Sequence, residues 1–314
     1  MARKSCGCRQ TTSTASFFTV TCRYPLKHFT SAPPRTFPFI GSPSAASTSA
    51  VLVSAPPVQR RIRQFNALSD QATCLQLARR LALARVESQV RYLLRATRGA
   101  TRTGSQQSAI TEMRRACRQI GNPDSADSTD SIRGHESAAG QLYFSVLPSL
   151  LRETVPDTLR PGGRSRRPPA DRFNALLSFG YAPLHARVMQ AILAVGLEPA
   201  LGFFHTPRSA AHPLALDLLE LFRVAAWTSR SSAPSTAAIG TPTQTSRSPA
   251  PRYGSARPAA ARPIQLFERR LEEQWRHPVM KYSLSWARTI ELEVRLWEKE
   301  WTGSPGLFAR ARIR

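Results

Sequence analysis

The fold class is decided by residues 70–97, which read DQATCLQLARRLALARVESQVRYLLRAT. Asp70 is a suitable helix N-cap, because its side chain can accept hydrogen bonds from the unpaired backbone amides of a first helical turn. Apolar residues then recur at three- and four-residue steps, at Leu75, Ala78, Ala82, Val86, Val90 and Leu93 or Leu94. The opposite face carries Arg79, Arg80, Arg91 and Arg95. This period predicts one long amphipathic helix in a mainly α-helical chain.

The helical period recurs further along the chain. It predicts helices over residues 110–120, from about Ser137 to Leu151, over 174–179, over 186–195 with Gly196 as the C-cap, and over 214–225. From Ile264 the sequence is strongly helical to its end, and Glu291 should pair with Arg295 across one turn. An apolar stripe lies at Trp286, Ile290, Val294, Trp297 and Trp301. We interpret this stripe as a surface that faces the core or a second copy, not as a platform for stacked bases.

The chain is strongly basic, with 44 Lys and Arg against 20 Asp and Glu and a net charge of +24. Most of the basic residues are Arg, which suits bidentate contact with phosphates. The five cysteines lack the spacing of a disulfide framework or a zinc site, so we expect a reducing, cytoplasmic environment. No run approaches the roughly eighteen apolar residues of a membrane span, so we expect no membrane association.

Two tracts differ in composition from the rest. Residues 1 to about 60 and 228–263 are rich in Ser, Thr, Ala and Pro, and they contain no acidic residue. Such tracts bury too little apolar surface to offset the entropy that ordering costs. We therefore predict a degenerate or disordered region over 1–60, and a helical domain over 64–314 that is interrupted by a disordered segment at 228–263.

Four side chains form a candidate metal site. Glu136 and His205 lie in separate segments, and Asp217 and Glu220 are three residues apart, which places both on one face of a predicted helix. One imidazole and three carboxylates are hard ligands that suit Mg²⁺ or Mn²⁺. In a chain this basic, they indicate an enzyme that acts on DNA phosphodiesters. Taken singly, each residue has a simpler interpretation, since a lone His is usually structural and an acid pair on a helix is usually solvated.

Four runs in series resemble one family. They are residues 136–143 (ESAAGQLY), 166–181 (RRPPADRFNALLSFGY), 196–205 (GLEPALGFFH) and 216–223 (LDLLELFR). In order and spacing they are similar to CRISPR-associated protein 1, the integrase of CRISPR adaptation. The helix at 70–97 resembles the one that opens that family's catalytic domain, and residues 267–272 (FERRLE) with His277 and Pro278 resemble its C-terminal helices.

This resemblance implies a homodimer whose subunits have an N-terminal β-rich domain and a helical catalytic domain, acting with a small ferredoxin-like partner subunit on DNA. It implies that Glu136, His205 and Glu220 bind Mg²⁺ or Mn²⁺, with Asp217 beside them in the catalytic set. The family usually has an acid at the last of these positions. Glu220, in place of Asp, keeps the charge and lengthens the side chain.

Several other residues in the resembling segments have predicted roles. The candidates for contact with DNA phosphates are Arg164, Arg166, Arg167 and Arg223, and ordinary surface charge is an equally good explanation of them. Asp171 is predicted to be a helix N-cap. Asn174 and Tyr181 are expected to support the local fold by hydrogen bonding.

Three functions remain open on the sequence alone. The leading one is a metal-dependent endonuclease and integrase that inserts short foreign DNA fragments into a repeat array by attack of a 3′-hydroxyl on a phosphodiester. The second is a metal-dependent nuclease without integration, and the third is an inactive paralogue or pseudogene product that binds DNA nonspecifically. The third arises because residues 1–50 and 224–263 do not resemble the family, which suggests either frame errors in the gene or real insertions.

Overall fold

The computed structural model describes residues 58–151, 160–165, 168–205, 212–228, 257–277 and 280–310, with only the backbone given over 257–262. The helices within these ranges are α1 (Val58–Ser69), α2 (Gln71–Ala96), α3 (Gly104–Gly121), α4 (Thr129–Val146), α5 (Arg172–Val195), α6 (Pro213–Glu220), α7 (Arg257–Glu272) and α8 (Trp286–Lys299). A 3₁₀ turn follows α4 at Leu147–Leu150, and a π-helical turn follows α6 at Arg223–Thr228. The prediction of a mainly helical chain is confirmed.

The helix ends are set largely by the capping residues that the sequence offers. The Asp70 side chain accepts from the amides of Ala72 and Thr73, and the Asp171 side chain accepts from the amide of Asn174, as predicted for an N-cap. Gly196 ends α5 with φ 87°, a left-handed conformation that favours glycine, so its predicted C-cap role is also confirmed. Thr103 and Gln106 form a reciprocal capping box at the start of α3, which the sequence analysis did not identify.

Two predicted helix boundaries are wrong in the region that carries the candidate site. The helix expected from Ser137 begins eight residues earlier at Thr129, because Ser128 caps it by accepting from Ser131, and so Glu136 lies within the helix. The helices expected at 174–179 and 186–195 are one continuous helix, α5, which contains Pro183. Proline removes one backbone hydrogen bond there, and the buried Leu177, Leu184 and Val188 hold the two halves against the core.

The C-terminal part is less helical than predicted. A two-stranded antiparallel hairpin, β1 (Gln274–Arg276) and β2 (Ser283–Ser285), separates α7 from α8, and residues 301–310 form turns. The helix predicted over 214–225 ends at Glu220, before the π-helical turn. The predicted pair of Glu291 and Arg295 is present at 2.9 Å. The tryptophan stripe faces the core, with Trp286, Ile290, Val294 and Trp297 buried and Trp301 half-buried.

The two low-complexity tracts mostly remain predictions. Residues 1–57 and 229–256, which hold most of the predicted N-terminal region and of the predicted internal segment, lie outside the described residues. Helix α7 begins at Arg257, within the segment that was predicted to be disordered up to residue 263. Among the residues that are described, no helix has the length and apolar character needed to cross a membrane.

Helix α2 is the central helix, since it packs against α1, α3, α4 and α6. The other half of the core is formed by α5, α7, α8 and the π-helical turn, whose Trp227 lies directly against Gly180 of α5. A Cβ at Gly180 would lie 1.9 Å from the Trp227 indole, so only glycine permits this approach. The same turn positions Arg223 and so connects this packing to the candidate site.

The C-terminal turns are held by two carboxylates, Glu293 within α8 and Glu300 directly after it. Glu300 accepts from the amides of Gly306, Leu307 and Phe308, and Glu293 accepts from the amide of Ala309 at 3.2 Å. Glu300 also pairs with Arg80 of α2. Burial raises the pKa of Glu293 from 4.5 to about 8, so its carboxyl is largely protonated at neutral pH.

This raised pKa predicts a dependence of stability on pH. Between pH 4.5 and about pH 8 the folded protein binds more protons at Glu293 than the unfolded chain, so this group's contribution should be full below pH 4.5 and decline up to about pH 8. Each unit of pKa shift corresponds to about 1.4 kcal/mol, so Glu293→Gln should be more stable than wild type at pH 8 by up to a few kcal/mol. Urea denaturation at pH 5, 6.5 and 8 measures this difference.

Glu112→Gln is the matched control, because Glu112 is an exposed carboxylate on α3 that pairs only with Arg115. Its free energy of unfolding should follow the wild-type pH profile. Parallel profiles for wild type and Glu293→Gln would show that Glu293 does not titrate in this range.

Candidate active site

Residues from several parts of the chain meet at one cavity of about 600 Å³. Glu136 is on α4, His205 lies in the segment between α5 and α6, and Glu220 ends α6. Arg85 of α2 and Arg223 of the π-helical turn line the same cavity. The structure therefore brings together the three residues that were predicted to bind metal.

The two carboxylates are buried and share one cation. Glu136 is 7% exposed and Glu220 is 3% exposed. The guanidinium of Arg85 lies between them, with Nη1 against Oε1 of Glu136 and Nε 3.0 Å from Oε2 of Glu220. Arg223 Nη1 lies 3.0 Å from the other oxygen of Glu220. Two negative and two positive side chains thus make the inner wall of the cavity electrically balanced.

Asp217 supports His205 from behind and does not line the cavity. It is fully buried, and its two oxygens accept from the amides of Phe203, Phe204 and His205 at 2.8 to 3.0 Å. Its Oδ1 also lies 2.6 Å from Nδ1 of His205. The sequence grouped Asp217 with the catalytic residues, and the structure places it as a residue that positions His205.

This contact determines which nitrogen of His205 can act. Because a carboxylate only accepts, Nδ1 must carry the proton that it donates to Asp217, so in the neutral imidazole the lone pair is on Nε2. The His205 side chain is 35% exposed and lines the cavity. A neutral imidazole held in this way by a carboxylate is the usual arrangement of a metal-binding histidine.

The loop that carries His205 is held on two sides. Gly202 allows the close approach of α6, because a Cβ there would lie 2.6 Å from Cβ of Pro213 and 2.8 Å from Oδ2 of Asp217. From the other side, Arg133 of α4 donates from Nε to the carbonyl of Phe204 at 2.8 Å. The position of His205 is therefore fixed by both α4 and α6.

The predicted DNA-contact residues are only partly described. Arg164 lines the cavity, where its Nη1 donates to Oδ1 of Asn174 at 2.7 Å and its guanidinium lies over the Phe144 ring. Arg223 also lines the cavity and lies over the ring of Tyr181 at 4.7 Å. Arg166 and Arg167 lie outside the described residues.

The predicted supporting residues hold this wall in place. Asn174 is buried, and its Nδ2 donates to the carbonyl of Gly163 at 2.7 Å and to Oδ2 of Asp171 at 2.6 Å. Tyr181 contacts Thr228 through its hydroxyl at 3.4 Å. Both residues therefore support the local fold, as the sequence analysis expected.

The donor chemistry of the cavity fits a hard divalent ion. Two carboxylates and one imidazole nitrogen are ligands that Mg²⁺ and Mn²⁺ accept, with further positions left for oxygen ligands. Over the described ranges, no three His, Cys, Asp or Glu side chains are close enough together to hold a metal as they stand. The reason is visible in the contacts, because the Arg85 guanidinium separates the two carboxylates and stands in for a cation between them.

Arg85 is the site residue that the sequence analysis missed. Its neighbours on the helix, Ala82 and Val86, are fully buried parts of the apolar stripe. An arginine that is buried within an apolar stripe needs a group of opposite charge beside it. The position of Arg85 in the stripe was therefore the sequence signal that could have identified it as a site residue.

Residues 45–229 match a protein-family model described as CRISPR associated protein Cas1. The chain is 48% identical over 260 residues to a CRISPR-associated exonuclease Cas4/endonuclease Cas1 fusion from Leptospira interrogans, covering 82% of this chain and 47% of that protein. It is 44% identical over 261 residues to another such fusion from Myxococcus xanthus, covering 82% and 45%. The chain thus spans somewhat less than half the length of these curated relatives.

Solved structures share the fold at lower identity. A CAS1 protein from Thermotoga maritima matches with a TM-score of 0.64 and 21% identity, covering 77% of this chain and 70% of that one. A casposase bound to its integration product matches with a TM-score of 0.64 and 19% identity, covering 82% and 69%. A partial Cas6-RT-Cas1–Cas2 complex matches with a TM-score of 0.65 and 19% identity, covering 81% and 74%.

Proposed function

Because this chain belongs to the CRISPR-associated Cas1 family of endonucleases, we propose that it is a metal-dependent DNA endonuclease and integrase of CRISPR adaptation. It joins short foreign DNA fragments to a repeat array by attack of a 3′-hydroxyl on a phosphodiester. The observation that supports this most strongly is the meeting of Glu136, His205 and Glu220 at one basic cavity, with Asp217 holding His205 so that Nε2 is available.

Glu136, Glu220 and Nε2 of His205 would hold Mg²⁺ or Mn²⁺. When bound, such an ion lowers the pKa of an attacking hydroxyl and neutralises charge on the reacting phosphate and the leaving oxygen. The two carboxylates supply the negative charge that retains the ion, and neutral His205 adds a ligand without repelling DNA. Arg223 and Arg164 also line the cavity, where they can bind the phosphates that flank the reacting one.

The partners of this reaction follow from the same family. The matching casposase is bound to integrated DNA and the matching Cas1 complexes contain Cas2. We extend these two partners to this chain, and propose that it binds DNA and works with a small ferredoxin-like subunit. On the family resemblance alone, we also propose that it forms a homodimer.

Transesterification is reversible, so the chemistry can be tested with the full chain on a branched DNA that resembles the joined product. In Mg²⁺ or Mn²⁺ the protein should release the labelled branch and reseal the duplex, and EDTA should stop both. Release without resealing would favour the nuclease without integration. If the protein shows no metal-dependent reaction with this DNA, the nonspecific DNA-binding alternative is favoured.

Loss of Arg164 should weaken DNA binding and reduce the dependence of the affinity on salt concentration. If this guanidinium binds a phosphate, Arg164→Ala releases one fewer counterion, and the slope of log affinity against log salt should flatten by about 0.9 for duplex DNA. Fluorescence anisotropy with labelled duplex between 50 and roughly 200 mM salt covers the range in which such slopes are measured. Replacing Arg164, Arg166 and Arg167 together should flatten it by up to about three times as much.

Arg288→Ala is the control, because Arg288 is an exposed residue of α8 that pairs with Glu291 and does not line the cavity. Its slope should equal that of wild type. A wild-type slope in the triple variant, with a large loss on removal of residues 1–50, would instead place DNA binding in the basic N-terminal tract.

A further inference from the structure

We propose that Arg85 is a built-in counter-ion that occupies the metal position and makes metal binding and DNA binding mutually dependent. In the free protein its guanidinium neutralises Glu136 and Glu220. When DNA and metal bind, it leaves the two carboxylates and contacts a DNA phosphate. This inference rests on the proposed metal-dependent function, and it adds a residue that controls when the site is completed.

The contacts of Arg85 support the first part of this proposal. Its side chain is 12% exposed and reaches the cavity from the buried stripe of α2, so its charge must be matched there. It contacts both proposed carboxylate ligands at once, with Nη1 on Glu136 and Nε on Glu220. A planar guanidinium can bridge two carboxylates in this way, whereas a lysine ammonium is a single point charge.

Charge explains why Arg85 and a divalent ion exclude each other. With Arg85 and Arg223 against Glu136 and Glu220, the inner wall has no net charge. A divalent ion added to this wall would meet a guanidinium at contact distance and no surplus negative charge. If Arg85 moves away, the wall has a net negative charge. The two carboxylates can then bind the ion together with His205.

The cavity also provides a second position for the Arg85 side chain. Gly140 lies one turn after Glu136 on α4, and its missing side chain would stand 3.9 Å from Nη2 of Arg85. Both residues line the cavity, so a DNA phosphate that enters the cavity can approach the guanidinium. A DNA phosphate in that space offers Arg85 a bidentate partner to replace the carboxylates.

Binding affinities test this coupling without any measurement of catalysis. Mn²⁺ binding to the full chain is titrated calorimetrically without DNA for wild type, Arg85→Gln and Arg85→Lys. Arg85→Gln should bind Mn²⁺ at least about tenfold more tightly than wild type, since the competing cation is gone, and Mn²⁺ should raise its melting temperature more. The Mn²⁺ affinity of Arg85→Lys should lie between those of wild type and Arg85→Gln. Because lysine keeps a positive charge beside the carboxylates, Arg85→Lys also serves if Arg85→Gln folds poorly.

The second readout is the affinity for a duplex with 3′-dideoxy ends, which cannot react. Coupling energies between sites typically change affinity by about 5- to 150-fold and act equally in both directions. Mn²⁺ should therefore strengthen DNA binding by wild type more than by Arg85→Gln, because only wild type gains the released arginine. Arg91→Gln is the matched control on the same helix, since Arg91 is more exposed and pairs with Glu87.

The outcomes separate this inference from the proposed function. Equal Mn²⁺ affinity in wild type and Arg85→Gln, with binding lost in Glu136→Gln, would overturn the role of Arg85 and leave the metal site standing. An equal effect of Mn²⁺ on DNA binding by wild type and Arg85→Gln would overturn the coupling. Failure of every variant to bind Mn²⁺, with or without Glu136, would remove both the inference and the metal-dependent function.

Discussion

Glu136→Gln and His205→Ala should each lower the rate of metal-dependent DNA cleavage or joining by more than about 100-fold, because loss of a residue that only supports a metal ligand already costs about 10- to 100-fold. Glu136→Gln keeps the size of the side chain and removes the charge that attracts the ion. His205→Ala removes the imidazole whose Nε2 faces the cavity. Single-turnover rates on the branched DNA in Mn²⁺ measure both effects.

Two controls show whether such losses belong to the site. His135→Ala removes a histidine one residue from Glu136 whose Nε2 lies 3.3 Å from the carbonyl of Ser125, and Glu112→Gln neutralises an exposed glutamate on α3. Both should keep wild-type rates, and all four variants should give wild-type circular dichroism spectra. Wild-type activity in Glu136→Gln or His205→Ala would remove these residues from the active site.

Asp217→Ala should be the most destabilising single substitution at the site, by roughly 3–5 kcal/mol, since it leaves several buried donors without an acceptor. The amides of Phe203, Phe204 and His205 all donate to this carboxylate, and His205 donates from Nδ1 as well. Loss of these bonds should release the loop that carries His205. Urea denaturation gives the free energy of unfolding directly.

Asp217→Asn separates the structural role of Asp217 from its effect on His205. In this variant an NH₂ group replaces one carboxylate oxygen. It is itself a donor, so it cannot accept the hydrogen bonds that the oxygen accepted. We expect a smaller loss of stability than in Asp217→Ala, together with a large loss of activity because Nδ1 of His205 is no longer held in its protonated state. Asp130→Asn, at an exposed aspartate that pairs with Arg133, should change stability by less than about 0.5 kcal/mol. A loss below about 1 kcal/mol in Asp217→Ala would show that the loop does not depend on this carboxylate.

Local sequence signals predicted most of the helical framework. The period and cap of residues 70–97 located α2 within one residue at each end, and Gly196 located the end of α5. The errors arose where tertiary packing overrides a local signal. Pro183 indicates a break, yet the buried residues on both sides of it keep α5 continuous. The hairpin after α7 was missed because strands of three residues show too little alternation to be recognised.

The candidate site was predicted in its composition but not in its arrangement. The residue types and the family resemblance grouped Glu136, His205, Asp217 and Glu220, and the structure places Glu136, His205 and Glu220 at one cavity with Asp217 against His205. Spacing could not show that Asp217 turns away from the cavity, because that depends on the loop at 201–205 folding over α6 through Gly202. It also could not show that Arg85 stands between the two glutamates, since Arg85 and Glu220 are 135 residues apart in the sequence.

The most direct test of the proposed metal site is the position of Mn²⁺ in a crystal of the full chain with a branched DNA that carries an unreactive 3′ end. Anomalous scattering identifies the ion without reference to activity. We expect one peak bound by Glu136, Glu220 and Nε2 of His205, with Asp217 still on Nδ1 and Arg85 moved onto a DNA phosphate. A peak bound by other residues, or a complex in which Arg85 still bridges the two glutamates and no ion is bound, would contradict this expectation.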